Sequence, residues 1–167
     1  MNVQRLSEVK EAWREGLVQQ VEARVKKMLL ANPACHDWDH TQRVRCLALR
    51  LAAAEGADAL IVEVAALLHD IGRSTELADQ GRTCHAALGG RLSREILLSL
   101  GVVSSSFVTA VVDCVRCHRY RRRDADTKPK TLEAKVVYDA DKLDSMGAIG
   151  IGRSFHFAGR IGARVHN

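Results

Sequence analysis

DALIVEVAALLHDIGR, residues 58–73, is the stretch that decides the fold. Asp58 reads as a helix N-cap, because its carboxylate can accept from the free backbone N–H groups of a first turn. Leu60, Ile61, Val64, Leu67, Leu68 and Ile71 then make the segment apolar around much of its circumference. A helix of that kind has little solvent-facing surface and belongs at the centre of a helical protein. It runs into His69 and Asp70. An ionised carboxylate at such a depth costs several kcal/mol unless something compensates it. The stretch therefore predicts an all-α core with a charged group in its middle that needs a partner.

The flanking sequence keeps the helical period. Ser7 is expected to cap a first helix to about Ala31, with Leu17, Val21, Val25, Met28 and Leu29 on one stripe, ended by Asn32-Pro33. HDWDH at 36–40 opens a second helix, Val44, Leu47 and Leu51 follow at helical spacing, and Gly56 ends it. Residues 72–83, with Gly72, Ser74, Thr75, Asp79 and Gly81, read as a loop. Leu88, Leu92, Ile96 and Leu100 predict a fourth helix, and Phe107, Val111 and Val115 a fifth capped within Ser104–Ser106. A basic loop, 119–130, precedes a sixth helix from Thr131 to about Met146. Gly147, Gly150, Gly152, Gly159 and Gly162 then suggest a tail of weak helical tendency.

At 167 residues, 47% of them hydrophobic and 27% charged, the chain is one domain with enough apolar material to exclude disorder. Aromatics are 4% and prolines two, which argues against a β-sandwich. The longest apolar run, Val64 to Leu68, is far short of the roughly 20 residues a bilayer needs. The charged N-terminal segment has no signal-peptide h-region, so a cytoplasmic protein with five reduced cysteines is expected. The net charge of +5 is concentrated in Arg116, Arg119, Arg121, Arg122, Arg123, Lys128 and Lys130. Such a run suits an anionic partner or merely a solvated loop.

The anomaly is where His and Asp fall. His40 lies one turn before Val44, His85 starts the fourth helix, and His118 continues the stripe of Phe107, Val111 and Val115. Asp141 shares a face with Val137 and Asp144. Taken singly, each reads as well as a core histidine or a surface carboxylate. Together with His69 and Asp70 they aim imidazoles and carboxylates at one core from separate helices, which a bound divalent cation explains economically.

His40, the doublet His69-Asp70 and Asp141, in the contexts HDWDHTQRV (36–44), AALLHDIGR (65–73) and DADKLDSMGAIGIGR (139–153), resemble the HD-domain superfamily of metal-dependent phosphohydrolases, and a subgroup of small bacterial HD hydrolases in particular. The resemblance spans about residues 35–157. It implies a compact helical bundle of about six helices around a buried metal site. Residues 1–34 would then be an N-terminal helix packing on the core, 35–157 the HD domain and 158–167 a C-terminal tail. It implies a metal on His40, His69, Asp70 and Asp141, with His85 and His118 in the slots that hold a second metal in some members. The metal's identity (Mn, Mg, Co, Fe, Ni or Zn) is not distinguished. Members of the subgroup hydrolyse nucleotides, including removal of pyrophosphate from nucleoside triphosphates, and usually continue with further helical sequence where this one stops at Asn167.

The chemistry assigns roles. A divalent ion polarises a phosphoryl oxygen and acidifies water, and phosphoryl transfer otherwise needs positioning and positive charge. Asp70 is the candidate to orient or deprotonate that water. His85 and His118 are candidates for a second metal, for protonating the leaving oxygen or for holding phosphates. Arg43, three residues after His40, reads as a phosphate clamp or a salt bridge, and Arg121, Arg122 and Arg123 as ligands of a polyphosphate. Lys142 ranks lower among phosphate ligands, being about 100° around the helix from Asp141. Asp37 and Asp39 read as cap and histidine-orienting groups. Trp38 either stacks on a base or packs against the first helix.

Cys114-Val115-Arg116-Cys117-His118 spells a haem c attachment pattern. It sits in the middle of an amphipathic helix in a chain with no export signal, so haem is set aside. The leading expectation is a nucleoside triphosphate pyrophosphohydrolase. A nucleotide phosphomonoesterase or phosphodiesterase, a non-catalytic metal- and nucleotide-binding sensor, and a basic nucleic-acid binder are the alternatives. Nucleic acid is the least favoured partner, since the basic loop holds one aromatic, Tyr120. A membrane is not expected as a partner, and a homodimer is compatible with the sequence.

Overall fold

α3, Ala59–Leu68, is the axis of the molecule: seven of its ten residues are buried, and it packs against α1, α2, α6 and α7. In this computed structural model residues 3–30, 37–102, 104–120 and 127–164 are described. Among them the order is α1 (Val3–Leu29), α2 (Trp38–Glu55), α3, α4 (Arg73–Ala78), α5 (His85–Ser99), α6 (Ser105–Cys117), α7 (Leu132–Leu143) and α8 (Gly147–Ile161), with no strand. The expected helix stop at Asn32-Pro33, Cys35, His36 and the run Arg121–Arg123 lie outside the described residues. No helix among those described is long and apolar enough to cross a membrane.

Short polar side chains set the helix starts. Asp37 accepts from the His40 N–H, Asp58 from Leu60 and Ile61, Ser104 from Phe107 and Thr131 from Ala134. Each cap satisfies a donor that the helix cannot, at about 1 kcal/mol. Ser7 differs from the expectation: α1 begins before it, at Val3, so Ser7 lies within the helix. α1 lays Leu17, Val21, Val25 and Leu29 on the core against α3, and Trp38 packs there too, with Lys26 Nζ of α1 4.7 Å from its ring centroid. Burial against the first helix is thus the role the structure shows for Trp38.

Three expectations about elements are corrected. Among the described residues the count is eight rather than about six, because part of the expected loop 72–83 forms the short helix α4 and the glycine-rich end forms α8. α8 folds despite its glycines because its neighbours hold it. Arg153 pairs with Asp144, Gly150 lies so close to the Ser145 carbonyl that a Cβ would collide with it, and Gly162 (φ +66) closes the end by donating to Ala158 and Gly159. The third correction is the buried face of α5. It consists of His85, Ala86, Gly89, Gly90, Ser93, Ile96 and Leu97; of the expected stripe Ile96 is buried, while Leu92 and Leu100 are partly buried against the core. Small residues bring α5 close to α6, where a Cβ on Gly89 would lie 3.2 Å from Val115 and one on Gly90 2.6 Å from the Arg116 side chain. Leucine periodicity alone misses a face built for close approach.

Candidate active site

α3 ends at Leu68, and His69 and Asp70 occupy the turn that follows, closed by Arg73 N–H donating to the Asp70 carbonyl at 2.9 Å. The doublet therefore sits just beyond the most buried helix rather than inside it. Around it converge His40 from the first turn of α2, His85 from the N-terminus of α5, His118 just past α6 and Asp141 from α7. His40, His69, Asp70, His85 and His118 are each at most 2% exposed.

The donors form two triads. His40, His69 and Asp141 make one and Asp70, His85 and His118 the other, each with its ligand atoms within 4.8 Å of one another. Asp70 faces both: its Oδ2 is 3.7 Å from the Nε2 of His40 and of His69, and its Oδ1 is 3.6 Å from the Nε2 of His85 and of His118. Asp141 Oδ1 stands 3.5 Å from His40 Nε2, while its Oδ2 pairs with Lys142. Both Asp70 oxygens are turned to imidazoles, and Oδ1 also lies 3.2 Å from the Arg73 guanidinium. The carboxylate has the position of a bridge between two donor sets.

Each imidazole is oriented through its other nitrogen. Nδ1 of His69 meets the Ala66 carbonyl at 2.7 Å and Nδ1 of His118 the Val115 carbonyl at 2.6 Å. A carbonyl only accepts, so these nitrogens donate and turn an Nε2 lone pair to the centre. His40 Nδ1 meets Asp144 Oδ2 and His85 Nδ1 meets Glu76 Oε2, both at 2.7 Å. Burial pushes His69 down to about 3 and His85 down to about 4, leaving both neutral near pH 7. Nε2 atoms then face one another at 3.2 Å (His40 and His69) and 3.1 Å (His85 and His118). Lone pairs converging on each other beside carboxylate oxygens are a donor set that suits a divalent cation, and the residues present fit one.

Asp144 and Glu76 carry the surrounding charge balance. Burial alone would raise Asp144, but its hydrogen bonds from His40 and Arg43 outweigh it and hold the carboxyl down at about 2. Glu76 is likewise raised by burial and held at about 2 by His85, Arg73 and Arg119. Arg43 Nε donates to Asp144 Oδ1 at 2.6 Å and Arg153 pairs with Oδ2. Arg43 makes a salt bridge with the carboxylate that also receives His40. Lys142, ranked low from its helical angle, reaches back to Asp141 because its chain is long enough to fold over the helix surface. Asp37 caps α2 by accepting from the His40 backbone N–H, and among the described residues the carboxylates on imidazole Nδ1 atoms are Asp144 and Glu76.

Glu76, Arg73, Arg119 and Arg153 had no place among the expected site residues beyond their local motifs. Asp144 carried a signal, its spacing of three from Asp141. Glu76 carried none, lying in a presumed loop nine residues before His85. Cys114 and Cys117 pack into the core, where burial pushes the Cys114 thiol up to about 12. Asp144→Ala is expected to lower divalent-metal affinity or kcat/KM by about 10–100-fold by releasing His40. A metal titration and kinetics check this, and unchanged values for a folded variant would show that His40 is held without it.

An all-helical core whose doublet lends one carboxylate to two histidine-bearing sets defines the class, an HD-type hydrolase fold. The chain belongs to the HD domain family, whose profile matches residues 37–146. It is similar to the Bacillus subtilis protein YpgQ, 34% identical over 144 residues, covering 86% of this chain and 67% of YpgQ. Among solved structures it is similar to a predicted HD superfamily hydrolase from an uncultured Thermotogales bacterium (TM-score 0.69, 31% identity, 94% of this chain and 82% of that one). It is also similar to YpgQ in complex with ADP (TM-score 0.69, 31% identity, 92% of this chain and 71% of that one).

Proposed function

We propose that this chain is a metal-dependent nucleotide phosphohydrolase that converts a nucleoside triphosphate and water to a nucleoside monophosphate and pyrophosphate. The observation that carries the reading is Asp70 set between two histidine-bearing triads, with Lys142 and Arg119 beside them. Lys142, Arg119, His85, His118 and Asp141 line one cavity of about 420 Å³, so cations border the place where phosphate oxygens would gather. The ADP bound by the related YpgQ supports a nucleotide as ligand.

His40, His69, Asp141 and Oδ2 of Asp70 would hold one cation, and His85, His118 and Oδ1 of Asp70 a second. Such a cation supplies Lewis acidity toward phosphoryl oxygen and acidifies water. The protein's own groups do the positioning. Asp144 and Glu76 fix two imidazoles by their Nδ1 atoms, the Ala66 and Val115 carbonyls fix the other two, and Lys142 offers charge to a phosphate at the Asp141 edge. Burial of the four histidines keeps bulk water from competing for their nitrogens.

The test is a panel of nucleoside tri-, di- and monophosphates with Mn²⁺, Mg²⁺ and Co²⁺ and identification of products. Equimolar nucleoside monophosphate and pyrophosphate, abolished by EDTA, is the expected result. Orthophosphate from a monophosphate would replace the reading with a phosphomonoesterase. Binding without turnover would replace it with a sensor.

A further inference from the structure

A second cavity, of about 860 Å³, lies against the one that reaches the triads, and Arg73, Glu76, Arg119 and Phe157 line both. Its farther wall is Leu77, Gln80, Arg160 and Ile161. The volume is that of a site for a drug-sized molecule. Its lining changes along its length. At the shared end Arg73 bridges Glu76 and Asp70 while Arg119 pairs with Glu76, so two guanidinium groups stand there for phosphate oxygens to meet. Beyond the shared rim, which includes Phe157, Leu77 and Ile161 make an apolar wall, with the exposed Arg160 beside it.

Gln80 adds a polar group of a particular kind. It is the one non-glycine with positive φ among the described residues, at +60°, followed by Gly81 at +82°. Residues with a side chain seldom adopt that conformation unless neighbouring structure imposes it. The turn places a carboxamide, both donor and acceptor, on the wall of the cavity. None of these far-wall residues is needed to hold a cation or an imidazole.

We propose that this cavity is the nucleoside subsite of the same centre: the phosphate chain lies along Lys142, Arg119 and Arg73, and the base rests against Phe157 with Gln80 and Arg160 at its edge. The inference rests on the nucleotide reading above and adds which residues select for a nucleoside over bare polyphosphate. A flat base is amphipathic, apolar on its faces and hydrogen-bonding at its edge. The cavity offers that combination in the Phe157 ring with Leu77 and Ile161 and in the Gln80 carboxamide. Phe157 stands where both cavities meet, so its ring adjoins the base and the reacting end at once.

Calorimetric titration with Mn²⁺ present, comparing ADP with inorganic pyrophosphate, tests this. The wild-type protein is expected to bind ADP about 10-fold more tightly than pyrophosphate, the scale of one base–aromatic stack. Phe157→Ala should remove most of that margin, leave pyrophosphate binding unchanged, and be rescued by Phe157→Tyr. Should Phe157→Ala not fold, Phe157→Leu keeps apolar packing and removes only the π-face, with the same expected loss. ADP bound no more tightly than pyrophosphate, or an equal fall for both ligands, overturns the subsite even if triphosphates are hydrolysed. Absent turnover with the ADP preference and its loss in the variants intact sinks the hydrolase reading alone.

Discussion

Asp70→Asn is expected to lower kcat by at least about 10³-fold, or about 4 kcal/mol of barrier at 1.36 kcal/mol per decade. The substitution keeps the volume and removes the charge. One of the two oxygens that face imidazoles at 3.6–3.7 Å becomes an NH₂ group, a donor aimed at lone pairs. Both donor sets lose by the one change, so the variant should also lose stabilisation by metal. At a cation concentration about 100 times its Kd the wild-type protein gains about 2.7 kcal/mol, or roughly 5–10 °C in Tm for a chain of this size. The variant should gain little of this. A folded Asp70→Asn protein with wild-type turnover, or with the full thermal shift, would show that the carboxylate does not join the two triads.

Gly72→Ala should cost about 3 kcal/mol of stability, at the upper end for overpacking, and reduce activity in whatever fraction remains folded. A Cβ on Gly72 would run into the His85 carbonyl and lie 3.1 Å from the Gly89 backbone nitrogen. Neither neighbour is a side chain that can swing away. Both belong to the first turns of α5, which holds His85, while Gly72 belongs to the turn that carries Asp70. Relief of the clash must move one triad member relative to the others. Denaturant unfolding of the variant beside Gly81→Ala, where a Cβ meets nothing within 4 Å but φ is +82°, separates close approach from backbone strain. Equal, small losses at both positions would show that α5 shifts without penalty.

The same turn explains why some residues could be read before the structure and others could not. His40, His69, Asp70 and Asp141 stand where polar groups interrupt apolar helical patterns, and an interruption in a pattern is visible along the chain. Caps at Asp58, Ser104 and Thr131 were legible for a related reason: they act on backbone donors two or three residues away. The buried face of α5 was not, because glycines at 89 and 90 signal close packing only once α6 is set against them. α8 was masked by its own glycines, whose intrinsic cost is offset by the Arg153–Asp144 pair and the close seat of Gly150 on Ser145.

Sequence alone determined the fold class, the central helix and the set of histidines and aspartates that must share a core, because burial of apolar stripes and the cost of burying unpaired charge are local in pattern. How those groups divide follows from the way the helices cross. That Asp70 faces two triads, that Glu76 and Asp144 set the imidazoles, and that Arg43 is held by Asp144 all depend on distances of a few ångströms between residues 9 to 104 positions apart. Periodicity assigns a residue to a face of its own helix. Hydrogen-bond partners across helices follow from crossing geometry, which is set by the summed packing of many side chains and is written in no single stretch of the chain.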